Sequence, residues 1–198
     1  MKNHIIVTIA REFGAEGHEI GKLLAERLGI HLYDKDILGR AAKESGIALE
    51  TLTSSDEMAS NPFLEPYLSY GITSYRVNDV LFQAEKRVIH DVATRESCII
   101  VGRMADYILR DEPDCFKVFI YAPVVERIAI IKEKHKISEE AAKKLVHKMD
   151  AARFNYYSYY SNKKWKQNEG KDIILNRAKF GVEGCVAILE SMVKTRKE

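Results

Sequence analysis

No segment constrains the fold of this chain more than Ile5–Gly29, which reads IIVTIAREFGAEGHEIGKLLAERLG. Its first residues form a short apolar run, which predicts a buried strand, and a loop with two glycines follows. Apolar residues then recur at helical spacing and predict one face of an amphipathic helix: Ile20, Leu23, Leu24 and Leu28. A strand that runs through a glycine-bearing loop into a helix is the layout of a phosphate-binding P-loop.

The residues of this loop depart from the usual P-loop pattern, G-x-x-x-x-G-K-[ST]. In register with the strand and the helix, the chain reads Arg11-Glu12-Phe13-Gly14-Ala15-Glu16-Gly17-His18. Arg11 stands at the first glycine, Glu16 at the second, Gly17 at the lysine and His18 at the hydroxyl residue. The lysine that contacts the β- and γ-phosphates and the hydroxyl that binds magnesium are therefore both replaced.

The loop from Gly14 through Ala15, Glu16 and Gly17 to His18 still has features that bind an anion. Backbone N–H groups at a helix N-terminus attract anions, and glycine allows a phosphate to approach closely. Glu16 and Glu19 add negative charge there, whereas Arg11 brings a guanidinium suited to bidentate phosphate contact. The loop alone leaves anion binding and a ligand-free connection equally open.

Composition narrows the class of protein. The chain has 198 residues, of which 46% are hydrophobic and 30% charged, enough for a single packed domain over 1–198. A net charge of +2 gives no global signature of nucleic-acid binding. Three widely spaced cysteines show no disulfide or metal spacing, and no signal peptide or membrane-spanning run is evident. We expect a cytoplasmic protein without a nucleic-acid or membrane partner.

Short apolar runs alternate with longer helical patterns along the chain, which predicts an α/β fold with a parallel sheet. The core is expected at about 1–35 and 96–198, with a helical insertion at about 36–95 and a lid-like stretch at Ser161–Lys171. Within the insertion, Asp36–Glu44 and Asn78–Thr94 are predicted helices and Ser54–Pro66 a loop. The predicted strands are His4–Ala10, Ile30–Tyr33, Cys98–Val101, Phe116–Tyr121 and Asp172–Leu175.

Several segments together resemble the cytidylate kinase-like family of P-loop proteins. They are TIAREFGAEGHEIGKLLAERLG, HLYDKDIL, CIIVGRMADYILRD, FKVFIYAPVVERI and KMDAARFNYYSYY. The resemblance implies a three-layer, P-loop NTPase-like fold with a five-stranded parallel sheet, a helical substrate-binding insertion and a lid. It also implies a nucleotide or small phosphorylated ligand, with ATP and Mg²⁺ as cofactors if the chain is active.

Arg103 follows a predicted buried strand directly, after Gly102. Ligands of open α/β sheets bind outside the carboxyl ends of the strands, so Arg103 can project toward a ligand. The similar Gly-Arg of cytidylate kinases contacts the monophosphate, which makes Arg103 a candidate substrate ligand. Those kinases continue with Asp, whereas Met104 follows here and Asp106 comes later as the candidate carboxylate. The alternative is a surface ion pair between Arg103 and Asp106.

A predicted helix from about Ser138 to Tyr160 carries further candidates. Asp150, Arg153 and Tyr157 share a face, so Asp150 can orient Arg153. Resemblance to the lid Asp-x-x-Arg of cytidylate kinases makes Arg153 the candidate transition-state arginine and places Asp150 and Tyr157 near the substrate. The neighbouring tyrosines either stack on a base or pack the helix, and packing is favoured: Tyr156, Tyr157, Tyr159 and Tyr160.

Two more residues lie at predicted strand ends. Arg127 follows the strand Phe116–Tyr121 by one helical turn. By resemblance it faces the donor nucleotide or the lid and joins Arg11 and Arg153 in catalysis, and otherwise it supports its helix. Asp34 resembles the acidic residue that opens the monophosphate site, or it caps the next helix. The six histidines show no metal-ligand spacing. Three functions are left open: a nucleotide kinase, a pseudo-kinase that binds a nucleotide or anion, and an oligomeric scaffold with an empty crevice.

Overall fold

The computed structural model describes residues 4–34, 37, 39–41, 43, 75–162 and 169–196. The strands are β1 Ile6–Arg11, β2 His31–Tyr33, β3 Cys98–Val101, β4 Cys115–Tyr121 and β5 Ile173–Asn176. The helices for which both ends are described are α1 Gly17–Leu28, α2 Tyr75–Arg95, α3 Ala105–Ile108, α4 Val124–His135, α5 Glu139–Ser161 and α6 Arg177–Arg196.

The five strands form one parallel sheet in the order β2-β3-β1-β4-β5. β1 is central and pairs with β3 on one side and β4 on the other, with Ile9 opposite both Val101 and Val118. The chain therefore leaves β1, β3 and β4 at the same edge of the sheet. The predicted α/β fold with a five-stranded parallel sheet is confirmed, and the P-loop, Arg103 and α4 follow neighbouring strand ends.

Both faces of the sheet are covered, because alternate strand residues point to opposite sides. Ile6, Cys98 and Ile100 are buried with α2 and α3 on one face. Val7, Ile9 and Ile99 are buried with α1 and α6 on the other. Such double burial explains why the strands read as continuous apolar runs, and it gives the layout of three layers.

A third apolar cluster lies at the strand-end edge, where α4 and α5 pack on the P-loop. The ring of Phe13, with 7% of its surface exposed, is buried against Ile131, Val146 and Met149. Phe13 thereby attaches the loop to two helices that follow β4. The apolar residue between Glu12 and Gly14 thus has a packing role in placing the loop.

Most predicted elements agree with the structure to within a few residues, with differences at two helices. α2 begins at Tyr75, before the predicted Asn78. α6 begins at Arg177, before the predicted Val182, because a first turn precedes a non-helical Gly181 with a φ of 68°. The described residues of the predicted helix Asp36–Glu44 are helical, namely Ile37, Gly39, Arg40, Ala41 and Lys43.

The predicted loop Ser54–Pro66 lies outside the described residues, as does much of the predicted insertion and lid. The division into core and insertion stays a prediction. Within the described part of the chain, no helix is both long enough and apolar enough to cross a membrane.

Candidate functional site

The loop between β1 and α1 turns tightly before the helix begins at Gly17. Gly14 has a φ of 82° and Glu16 a φ of 56°, both in the left-handed region. A side chain at Gly14 would also meet the carbonyl oxygen of Arg127 at 3.0 Å. The Glu16 side chain makes no capping hydrogen bond to α1, so it leaves the first-turn N–H groups to another acceptor. This geometry suits an anion at the helix N-terminus.

Arg11, the last residue of β1, sends its side chain across the start of α1. A Cβ atom built on Gly17 would stand 2.9 Å from both the Cβ and the Cγ atom of Arg11. Gly17 occupies the position of the P-loop lysine, so the stem of Arg11 fills the space that a side chain there would need. Arg11 also lines the cleft beside the loop.

Each of the acidic side chains in and beside the loop has a cationic partner from another element. Glu12 Oε2 lies 3.2 Å from Arg127 Nε, and Glu19 Oε1 lies 2.7 Å from Lys134 Nζ. Glu16 pairs with Arg177 at the start of α6. Burial would raise the pKa of Glu19, but the hydrogen bonds from Lys134 and from the Glu19 backbone N–H, together with the charges of Lys134 and His18, outweigh it, so the pKa is lowered. The expected repulsion of a phosphate by Glu16 and Glu19 is therefore largely balanced by these cations.

Arg127 and Asp150 hold the loop backbone in place. The Arg127 guanidinium donates to the carbonyl of Phe13 at 3.0 Å, to Asp150 Oδ2 at 2.6 Å and to the carbonyl of Ala122 at 2.9 Å. Asp150 Oδ1 accepts from the N–H of Phe13 at 2.9 Å. Asp150 thus accepts hydrogen bonds from the loop and from Arg127. The sequence had led us to expect that Asp150 orients Arg153 instead.

The placement of Arg127 also differs from its predicted role. Its side chain is 7% exposed, and it is absent from the residues that line the cleft. The geometry indicates that Arg127 supports the loop. This agrees better with the alternative that Arg127 has a structural role than with the expectation that it contacts a nucleotide.

A cleft opens at the strand-end edge, with about 770 Å³ of empty space that is partly open to solvent. Arg11, Arg103 and Arg153 line it together. Arg153 Nη1 donates to the carbonyl oxygen of Arg11 at 2.9 Å, and its guanidinium lies 5.4 Å from the centre of the Phe13 ring. The remaining lining residues come from the loop, α1, α4 and the end of β2: Glu12, Phe13, Gly14, Glu16, Gly17, His18, Glu19, Asp34, Ile130, Ile131, Lys134 and His135.

His18 and Asp34 form a pair on the wall of the cleft. His18 Nδ1 lies 2.7 Å from Asp34 Oδ2. Burial by itself would raise the pKa of Asp34, but the hydrogen bond from His18 and the positive charges of Arg11 and Arg103 outweigh it, so the pKa lies below its usual value. Asp34 is therefore an ionised carboxylate at neutral pH. Its partner His18 is the residue that stands at the position of the P-loop hydroxyl.

Arg103 reaches the cleft from an unusual stretch of backbone. Gly102, Arg103 and Met104 have φ values of 79°, 54° and 53°, three left-handed residues in succession. Arg103 Nη1 bonds Glu85 Oε1 of α2 at 2.9 Å, and Glu85 Oε2 accepts from the Tyr156 hydroxyl at 3.1 Å. Backbone strain of this kind persists where the surroundings determine it strongly, and it occurs often at functional sites.

Asp106, which is buried, and Tyr157, which is half-buried, are both predicted substrate residues and lie next to this stretch. Asp106 pairs with Lys171, and these two side chains are 3% and 1% exposed. The Tyr157 hydroxyl lies 3.4 Å from the same carboxylate, and burial together with Asp106 raises the pKa of Tyr157. Neither residue lines the cleft. The alternative Arg103–Asp106 surface pair is wrong as well, since both side chains are buried and their ion pairs are with Glu85 and Lys171.

Tyr156, Tyr157 and Tyr160 pack α5 against neighbouring aromatic rings, as favoured from the sequence, whereas Tyr159 is 53% exposed. Tyr160 stacks on Phe82 with ring centres 3.9 Å apart, and Tyr156 meets the same ring edge-on at 6.2 Å. Tyr157 meets Tyr107 edge-on at 6.0 Å. These contacts fix α5 to α2 and α3 and thereby set the position of Arg153.

Sequence reasoning did not find several charged residues around the cleft, among them Lys134, Glu85, Lys171 and Arg177. Lys134 and His135 follow Ile131 by about one helical turn at the end of α4, and all three line the cleft. The apolar Ile131, which marks the packed face of this helix, was the only signal in the sequence that this end of α4 lies near the loop. Among the described residues, no three His, Cys, Asp or Glu side chains form a group that could hold a metal ion. The cleft brings four Arg or Lys side chains and four carboxylates together at a helix N-terminus.

Comparison with known proteins agrees with this architecture. A cytidylate kinase of Methanosarcina mazei is 25% identical over 185 residues, which cover 85% of this chain and 93% of that protein. A crystal structure of an uncharacterized protein from Eubacterium ventriosum matches with a TM-score of 0.74 and 26% identity, covering 96% of this chain and 99% of that one.

A shikimate kinase from Bacteroides thetaiotaomicron shares the fold, with a TM-score of 0.55, 10% identity and coverage of 96% of this chain and 98% of that chain. The model of the cytidylate kinase-like family matches residues 6–179, which is most of the chain. The resemblance found in the sequence is confirmed: the chain belongs to the cytidylate kinase-like family.

Proposed function

We propose that the cleft binds the phosphates of ATP and transfers the γ-phosphoryl group to a nucleoside monophosphate or another small acceptor. The observation that carries this proposal is the convergence of Arg11, Arg103 and Arg153 on the N-terminus of α1 in one cleft. Phosphoryl transfer is catalysed mainly by positioning and by neutralising charge on the phosphate oxygens. The family, whose curated relatives include the cytidylate kinase of M. mazei, supports the same class of reaction.

The paired acids of the loop also support the proposal. A triphosphate brings several negative charges to the helix N-terminus, and unpaired Glu16 and Glu19 would repel it. Since Arg177 and Lys134 balance these two carboxylates, their repulsion of a phosphate at the α1 N-terminus is reduced. Arg11 takes the position next to the phosphates that the missing lysine would reach.

Magnesium enters with the nucleotide, as MgATP. His18 replaces the hydroxyl ligand and is bonded to Asp34, and the described residues hold no ready-made cluster of metal ligands. Mg²⁺ keeps several waters and binds substrate phosphates more often than all-protein cages. The residues of this chain accordingly bind and orient the phosphates, and the metal ion screens their charge.

The test has two measurements on the same protein. Thermal unfolding with ATP, ADP, CMP, dCMP and UMP, with and without magnesium, reports binding, because a ligand of the native state raises its stability by RT ln(1 + [L]/Kd). A coupled assay then follows ADP formation from MgATP. An upward shift of Tm with ATP together with ADP formation supports the proposal, and no shift with any nucleotide contradicts it.

A second candidate function is that of a pseudo-kinase that binds a nucleotide and responds to it without turnover. It is favoured by the loss of the P-loop lysine and hydroxyl, which should cost several kcal/mol of transition-state stabilisation by analogy with the loss of other charge-stabilising donors. A clear Tm shift with ATP and no ADP formation under any condition would support this second function.

A further inference from the structure

We propose that the phosphoryl acceptor in this cleft is a hydroxyl group rather than a phosphate, and that His18, positioned by Asp34, removes its proton. The inference rests on the proposed function, since it needs a nucleoside triphosphate as the donor. A phosphate acceptor is already anionic and needs no base, whereas an alcohol or a water molecule loses a proton as it attacks. A histidine–carboxylate pair on the wall of a phosphate cleft is therefore informative about the acceptor.

The pair has the orientation that a base requires. Because the pKa of Asp34 lies below its usual value, its carboxylate is ionised and accepts the hydrogen bond from His18 Nδ1. In the tautomer that carries its proton on Nδ1, the ring leaves Nε2, on its other side, as the acceptor. The side chains are 36% exposed for His18 and 19% for Asp34, so the ring stands at the mouth of the cleft while its partner is more deeply buried.

The neighbouring charges disfavour a phosphate acceptor. Arg103, the candidate ligand of an acceptor phosphate, bonds Glu85 at 2.9 Å, and the two side chains are 4% and 0% exposed. Its positive charge is thus shared between Glu85 and, at longer range, Asp34. The ionised Asp34 on the same wall repels a phosphate dianion but accepts a hydrogen bond from a hydroxyl.

The step balances as follows. The acceptor oxygen forms a bond to the γ-phosphorus, and the bond from that phosphorus to the β,γ-bridging oxygen breaks. The acceptor proton moves to His18 Nε2 and later to solvent, and the bridging electron pair leaves with the nucleoside diphosphate. The products are a phosphate ester, or inorganic phosphate when water is the acceptor, and ADP.

Other titratable and charged groups line the cleft around the pair. They are Arg11 from β1, Glu12 and Glu16 from the loop, Glu19 from α1, Arg103 after β3, Lys134 and His135 from α4, and Arg153 from α5. Burial, and then the charge of Lys134, lower the pKa of His135, so His135 is a second imidazole of the cleft that could act as a base. The test separates the two histidines by substitution.

The experiment measures ADP release from MgATP by the full-length protein, with water as the only acceptor and then with added CMP. His18→Asn keeps a donor for Asp34 but removes the base, and Asp34→Asn removes the ionised partner. His147→Asn, at an exposed position of α5, is the matched control. ATP-dependent shifts of Tm show that each variant is folded and still binds the nucleotide.

We expect ADP release with water alone, no increase with CMP, and a tenfold or larger decrease in His18→Asn and Asp34→Asn with little change in His147→Asn. The loss should be larger in His18→Asn than in His135→Asn, and added imidazole should restore part of the release in His18→Asn, because it can take the acceptor proton. An increase with CMP overturns the inference, as do unchanged rates in both variants. A Tm shift with ATP without ADP release overturns this inference alone, whereas no shift at all removes the proposed function too.

Discussion

The side chain of Arg11 lies directly over Gly17: a Cβ atom at Gly17 would stand 2.9 Å from the Cβ and Cγ atoms of Arg11. The residue types at the end of β1 and the start of α1 therefore complement each other: Arg11 has a long cationic side chain, and Gly17 has no side chain that would collide with it. A P-loop uses a lysine at the second position. In this chain the space beside the helix N-terminus is filled from the strand instead.

Gly17→Ala should destabilise the protein by about 1–3 kcal/mol, because an added methyl group in a packed position forces its neighbours to move. Urea unfolding measures the change. Gly39→Ala is the matched control, since nothing lies within 4 Å of a Cβ atom there, and its stability should be equal or higher. Equal stability of Gly17→Ala and the wild type would show that Arg11 does not occupy this space.

Asp150→Ala should lower the free energy of unfolding by about 3 kcal/mol and weaken nucleotide binding. It removes the partner of a buried guanidinium and leaves the N–H of Phe13 without its acceptor. Lys144→Gln is the control, because its ion pair with Glu140 joins side chains that are 77% and 78% exposed and contributes little. If the free energy of unfolding falls no more than in the control, Asp150 does not hold the loop backbone in place.

Arg153→Ala should weaken ATP binding tenfold or more, because a charge-assisted hydrogen bond contributes about 1.5–3 kcal/mol. The comparison is with Lys148→Ala, which removes an exposed cation from the same helix. Titration of ATP into both variants by calorimetry gives the two affinities. If both bind ATP as the wild type does, Arg153 does not act on the phosphates.

Stability should fall on the alkaline side because of two buried thiols in the sheet. Burial raises the pKa of Cys98 to about 12 and that of Cys115 to about 11, against about 8.5 in an unfolded chain. Because the pKa of each thiol is higher in the folded state, the stability that the neutral thiols contribute is present below about pH 8.5 and is lost as pH rises toward 11 and 12. Tm measured from pH 7 to 11 should decline less steeply in Cys98→Ala/Cys115→Ala, and parallel slopes would contradict the assignment.

Much of the fold could be predicted from the sequence because it depends on local patterns. The strand Cys98–Val101 is apolar on both faces, as a central parallel strand is, and Ser138 caps α5 as its residue type predicts, accepting from the Ala141 N–H at 3.2 Å. The start of α6 was missed because its first turn precedes Gly181, which reads as a break. Local patterns therefore located the elements better than their ends.

The candidate site was only partly predictable, because its ion pairs join residues far apart in the chain. Arg11, Arg103 and Arg153 follow from strand ends and helix faces, and the structure gathers them in one cleft. The partners of Glu16 and Asp106, by contrast, are Arg177 and Lys171. No spacing rule predicts such a pair, which exists only once β5 has paired with β4.

Calorimetric titration of MgATP into the wild type and into Arg11→Ala tests the central claim most directly, namely that Arg11 supplies the cation beside the phosphates at the α1 N-terminus. We expect binding by the wild type and an affinity at least tenfold lower in Arg11→Ala, with thermal unfolding confirming that the variant is folded. Equal affinities in the two proteins, or no heat of binding with the wild type, would contradict the claim.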